Sequence, residues 1–253
     1  MPVLSKRVQG LALAAFLAIG LGARAVHAAD ISFEWWVNGQ VAGSQMVTGT
    51  SIGNGVYNFA GTFQYFDPYN PFNVVELDYN LNGKPDSQAG LASNVFVNGN
   101  IAVENLFGTP IDVEVLVLLP VATPAPLGID MGGSAALGLT TNADGGSVTS
   151  LPDTPVWQAL VDESAVSALF HHPFELANSG LGSSSTGSHS FGIPDPIPGP
   201  PIADSIGIGI SFTLTTLDQA SITSLFNTMP IPAPGGLLVL AAGALAIRRR
   251  RRG

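Results

Sequence analysis

Ile206, Ile208, Ile210, Phe212 and Leu214 alternate with Gly207, Gly209, Ser211 and Thr213. A period of two puts the bulky side chains on one face of an extended strand and the small ones on the other, which a helix of 3.6 residues per turn cannot do. The segment predicts a strand with one face buried and one wet. The same period runs through Phe33, Trp35 and Val37, through Tyr57, Phe59, Phe63 and Tyr65, and through Val75, Leu77, Tyr79 and Leu81. Val113, Val115, Val117 and Leu119 add another strand, with Asp112 and Glu114 turned away before the stretch becomes apolar on both faces. Only residues 156–170 offer a helix of useful length, started by Asp153 or Thr154 ahead of Pro155, and the same residues also read as two short strands.

Thirty glycines and 19 prolines separate these runs with turn residues, so the chain predicts a mainly β fold, an antiparallel β-sandwich of jelly-roll-like type. A length of 253 residues suits one such domain with appendages. Residues 179–203 turn Gly- and Ser-rich, then Pro-rich. Because a regular strand follows, they read as a long surface loop inserted within one domain. The expected division is a signal segment at 1–28, an acidic β-sandwich at 29–229 and a tail at 230–253.

Charge is segregated along the chain. Lys6, Arg7 and Arg24 lie near the start and Arg248 to Arg252 at the other end, leaving Lys84 against all 18 acids, a net charge of −17 over residues 29–229. Such a body cannot neutralise phosphates, which argues against nucleic acid and anionic membrane surfaces as partners. Divalent cations and basic polymers suit it better, and the plain reading is solubility in an exposed compartment.

The first 28 residues have the three parts of a secretory signal: basic Lys6 and Arg7, an apolar stretch at 11–21, and small residues before a cut. Val26-His27-Ala28 fits a signal peptidase and makes Ala29 the first mature residue, with Ala23-Arg24-Ala25 as a second option. Eleven apolar residues rise about 16 Å as a helix, short of a hydrocarbon core of about 30 Å. The reading is therefore export with cleavage. At the other end Ile231, Pro232, Ala233 and Pro234 precede an uncharged stretch from Gly235 to Ile247, then Arg248, Arg249, Arg250, Arg251 and Arg252. Its 13 residues would rise about 20 Å as a helix and predict a short transmembrane segment whose arginines snorkel and stay cytoplasmic.

This three-part tail resembles the PEP-CTERM sorting signal of Gram-negative surface proteins, which membrane enzymes called exosortases handle. The resemblance covers residues 231–253, with Ile231 and Ala233 where that family's motif has Val and Glu. Gly235-Gly236 is also similar to GlyGly-CTERM tails, and the paired prolines favour the first family. The resemblance implies an exosortase-type partner, transient anchoring in the inner membrane and a final place at the cell surface or in the extracellular matrix. It implies nothing about what the body does.

Chemistry in the body is sparse. Asp78, Asn80, Asn82 and Asp86 alternate oxygen donors around Gly83, resembling the start of an EF-hand or dockerin calcium loop, although Ala89 stands where a bidentate carboxylate belongs. Asn82-Gly83 also reads as a hairpin turn after the alternating strand, and calcium is the one cofactor these residues suggest. His171, His172 and His189 are the only histidines outside the signal, too scattered for a zinc triad, and there is no cysteine. No serine-hydrolase, zincin or phosphate-loop pattern occurs, so the reading is non-catalytic, with a carboxylate pair for glycoside hydrolysis the remaining enzymatic option. Trp35 and Trp36 must face opposite ways on a strand, one into the core and one toward an extracellular polysaccharide or simply toward packing.

Overall fold

The computed structural model describes residues 29–85 and 94–231; the signal segment, Asp86 and the tail beyond Ile231 lie outside them. Along the chain the strands are β1 (Asp30–Val37), β2 (Gln40–Thr48), β3 (Thr50–Gly53), β4 (Val56–Asp67), β5 (Asn70–Lys84) and β6 (Val95–Asn105). There follow β7 (Ile111–Pro120), β8 (Ile129–Thr141), β9 (Gly146–Thr149), β10 (Trp157–Val161), β11 (Ser164–Leu169) and β12 (Glu175–Asn178). The last are β13 (Gly182–Ser185), β14 (His189–Phe191), β15 (Ile197–Gly199), β16 (Ser205–Leu214) and β17 (Gln219–Pro230). Among the described residues there is no helix, and so none long and apolar enough to cross a membrane.

The strands form two antiparallel sheets. One runs β11-β10-β16-β7-β1-β2, with β9 and β12 attached beside β16; the other runs β8-β17-β6-β5-β4-β3, with β13, β14 and β15 side by side on the free edge of β8. The inward residues of both sheets make one core, where Phe33 of β1 meets Phe63 and Tyr79 of the opposite sheet with ring centroids 4.9 Å apart in each case. The predicted mainly β sandwich is what the chain forms.

Four local readings resolve or change. Residues 156–170 are two strands, β10 and β11, joined by Asp162 and Glu163 at φ 47° and 63°. That backbone makes the two-residue hairpin whose twist suits antiparallel strands. Residues 179–203 are not a plain loop, because β13, β14 and β15 pair with successive parts of β8. Without them the 13-residue strand β8 would present an open edge. Their Gly, Ser and Pro content hides them from any periodicity argument, and Pro198 is tolerated because it sits on an edge.

Asn82-Gly83 is not a turn. β5 continues through it to Lys84, with Asn82 paired to Asn58 on one side and Asn98 on the other. Asn-Gly turns of hairpins occur instead at Asn38-Gly39 and Asn54-Gly55, each with both residues in the left-handed region. Finally, β16 is buried on both faces, since its neighbours' Leu118 and Leu160 lean over Gly207 and Gly209. A central strand with small outward residues lets the larger side chains beside it lean inward and narrow the gap.

Candidate functional site

The outer face of the first sheet carries the site. Antiparallel register sets Trp36 of β1 opposite Glu114 of β7, and Glu114 opposite Ser211 of β16. One row along, Leu116 of β7 faces Gly209 of β16, which faces Gln158 of β10. The glycine leaves a trough between taller flanking side chains, so the alternation that filled the core with Ile208 and Ile210 also cut a groove on the reverse face. Its space is about 50 Å³, and it is lined by Trp36, Glu114, Gln158, Glu163, Gly209 and Ser211 together with apolar neighbours. Enclosing pockets for small molecules are typically about 300 Å³ or more; this groove admits a substituent and not a whole ring.

Its electrostatics are one-sided. Burial pushes the carboxyl of Glu114 above the ordinary range, and the Asp112 charge on the same strand adds to it. The carboxyl of Glu163, at the rim on the tip of the β10–β11 hairpin, is raised by burial first and then by Glu34, Asp204 and Asp162. Among the described residues the single Lys or Arg is Lys84, on the other sheet. On the floor, Gln158 is 6% exposed and Ser211 is 7% exposed. Neither side chain has a hydrogen-bond partner among the described residues.

A second opening, of about 310 Å³, lies between β2 and β4 and is bordered by Ser44, Gln45, Thr62 and Gln64 above the buried Phe33 and Trp35. It is roomier, but none of its lining residues is titratable.

The residues singled out from sequence fall as follows. Trp35 is buried in the core and Trp36 is partly exposed on the outer face, the opposition expected of adjacent strand residues. Trp157 is also core, its ring 6.2 Å from Phe191 of β14. Asp78, Asn80 and Asn82 stand in line on the outward face of β5, where residues two apart are about 7 Å from one another. This is a straight row and not the wrapped loop that a calcium site of that spacing uses. Thr62 donates its hydroxyl to Asp78, and the Asn58 amide donates to Asn80 at 2.8 Å and to Asn82 at 3.1 Å. Asp86 lies outside the described residues.

His172 lies 3.0 Å from the Ser150 hydroxyl through Nδ1, and His189 meets the Phe170 ring edge-on, so the histidines stay apart. Among the described residues no three His, Asp or Glu side chains gather in a way that could hold a metal ion. Val26, Ala28, Pro232, Ala233, Pro234, Gly235 and the five arginines lie outside the described residues. Ala29 and Ile231 are the first and last residues in view, Ala29 accepting from the Gly49 N–H at 2.8 Å and Ile231 donating to Gly128 O at 3.2 Å. Sequence reasoning found Trp36 but missed Glu114, Gln158, Glu163 and Ser211 as a group, because the register that assembles them joins residues far apart in the chain.

No family model and no curated protein matches this chain. Among solved structures, a chain of infectious bursal disease virus strain Gx aligns with 12% identity and a TM-score of 0.18, over 84% of this chain. This chain covers 64% of the length of that one.

Proposed function

We propose that the chain is a non-catalytic exported protein of the cell surface or extracellular matrix of a Gram-negative-type bacterium, sorted through its PEP-CTERM-like tail. The observation that carries this reading is the order of three segments along the chain: a start with the basic, apolar and small-residue parts of a secretory signal, an acidic body, and a tail of Ile231-Pro232-Ala233-Pro234, an uncharged stretch and five arginines. β1 starts at Asp30, one residue past the expected signal cut, and β17 ends at Pro230, one residue before the tail motif. Cuts at both places would leave every strand of the sandwich intact. In this reading a signal helix precedes the body and a short transmembrane helix follows it. On this reading the body is jelly-roll-like, a description supported by the repeated passage of the chain from one sheet to the other, as at β2 to β3, β6 to β7, β7 to β8, β8 to β9, β12 to β13, β15 to β16 and β16 to β17.

The test is the intact mass of the protein recovered from surface and culture-supernatant fractions. The expected mass lacks residues 1–28 and the arginine cluster, and deletion of 231–253 abolishes surface retention. A mass that still includes Arg248 to Arg252 would make the protein a plain membrane-anchored one and overturn the sorting reading.

One observation favours a second reading, a carbohydrate-binding adhesin: Trp36 borders a groove on an outward sheet face, and aromatic faces suit the apolar faces of sugar rings. Binding on a glycan array that is lost in Trp36→Ala is the expected result. Binding unchanged in that variant would remove this face from the account.

A further inference from the structure

We propose that the groove over Gly209 binds an amino sugar, its ring stacked on Trp36 and its free ammonium set into the groove beside Glu114 and Glu163; this rests on the carbohydrate reading above. The groove's size argues for a head group. Its space of about 50 Å³ has room for a few water molecules and is well short of the roughly 300 Å³ of a pocket that encloses a ligand, so an ammonium enters while a ring stays above it, at the level of Trp36.

Charge argues for a cation. Glu114 and Glu163 line the same groove, flanked by Asp112, Glu34, Asp162 and Asp204, with no basic side chain on this sheet among the described residues. An indole face adds its own attraction for a positive group. The floor argues for a sugar over a lysine side chain. Gln158 and Ser211 are more than nine-tenths buried, open into the groove and have no hydrogen-bond partner among the described residues. Their polar atoms reach the groove's solvent and are free to exchange it for a ligand's polar groups. A lysine brings three donors but no acceptor on an apolar stem, so it can serve the Gln158 carbonyl and the Ser211 oxygen but leaves the Gln158 amide N–H groups without a partner. An amino sugar carries hydroxyls next to its ammonium that can both donate to and accept from an amide and a hydroxyl.

Backbone geometry fits a built site. Glu163 is held at φ 63° in the hairpin, a conformation a residue other than glycine rarely adopts. The neighbouring Asp162 fixes that hairpin by accepting from three backbone amides, those of Ala203, Asp204 and Ser205.

The experiment is calorimetric titration of the full-length chain in detergent, near pH 6, with a glucosamine tetramer and with its fully N-acetylated counterpart. The expected result is binding of the free amine at least roughly tenfold tighter than the acetylated tetramer. Glu114→Gln should abolish that preference. Gly209→Ala should abolish binding without unfolding the chain, because the added methyl would meet Leu160 and Gln158 at 3.7 and 3.8 Å, ordinary contact distances, while filling the floor. Asp144→Asn removes the same charge from an exposed turn outside the groove and should change nothing. Equal affinity for both tetramers overturns the ammonium site and leaves the carbohydrate reading standing. Binding of neither overturns both, and an equal loss in Asp144→Asn and Glu114→Gln reduces the effect to the general charge of the body and overturns the site.

Discussion

The Asp162 carboxylate accepts the backbone N–H of Ser205 at 2.9 Å, tying the tip of the β10–β11 hairpin to the first residue of β16. The same carboxylate takes the amides of Ala203 at 2.9 Å and Asp204 at 2.8 Å. Removing it strands three donors at the entry to a central strand. Asp162→Ala should lower the unfolding free energy by about 2 kcal/mol, read from a urea melt. A change below a few tenths would mean that solvent satisfies these amides without help.

Glu114 gives a pH dependence whose sign is fixed. Its folded pKa lies above its unfolded value because burial and Asp112 disfavour the charged form. Its stabilising contribution is therefore whole below the unfolded pKa and is lost as pH rises through the folded one. Glu114→Gln should raise Tm at neutral pH, with the gain shrinking to nothing as pH falls below the ordinary carboxylate range. A gain that persists in acid would assign the effect to packing.

Phe33 is fully buried where the two sheets meet, against Phe63 and Tyr79. Phe33→Ala should cost about 3–5 kcal/mol, the range for emptying an aromatic site in a close-packed core, and denaturant unfolding measures it.

Gly99 has φ +144°, and an added Cβ would lie 2.2 Å from the backbone oxygen of Asn80 on β5. No flexible side chain is there to yield. Gly99→Ala should therefore destabilise by more than about 1 kcal/mol, whereas Gly39→Ala, with nothing within 4 Å but a positive φ, should show the backbone cost alone. Comparing the two melting curves isolates the collision between β5 and β6.

Calcium at about millimolar concentration should leave Tm unchanged, because a ligand raises it only when its concentration approaches or exceeds its Kd for the native state and Asp78, Asn80 and Asn82 are in line along β5. A rise of several degrees that disappears in Asp78→Asn would restore the loop reading.

The core was legible wherever a side chain's size repeated every second residue. Ile206 to Leu214, Val75 to Leu81 and Phe33 to Val37 are strands with those residues inward. What escaped were elements whose information is not in side-chain size. β13, β14 and β15 are made of Gly, Ser and Pro and exist because β8 needed edge partners. Asn82-Gly83 has the composition of a turn, yet Leu81 and the pairing with β4 and β6 hold it extended, so tertiary contacts overrode local preference. The groove was half visible. Gly207 and Gly209 announced a shallow face, but that Glu114, Gln158 and Trp36 border it depends on the order β10-β16-β7-β1, which periodicity does not encode.

The two strands nearest the tail hold the middle of each sheet: β16 separates β7 from β10, and β17 separates β6 from β8. A ribosome makes them last. Everything synthesised earlier therefore has two half-sheets with missing partners and cannot close a core by itself. Such a chain stays open for nearly the whole of its synthesis, and its core closes only once residue 230 has been made.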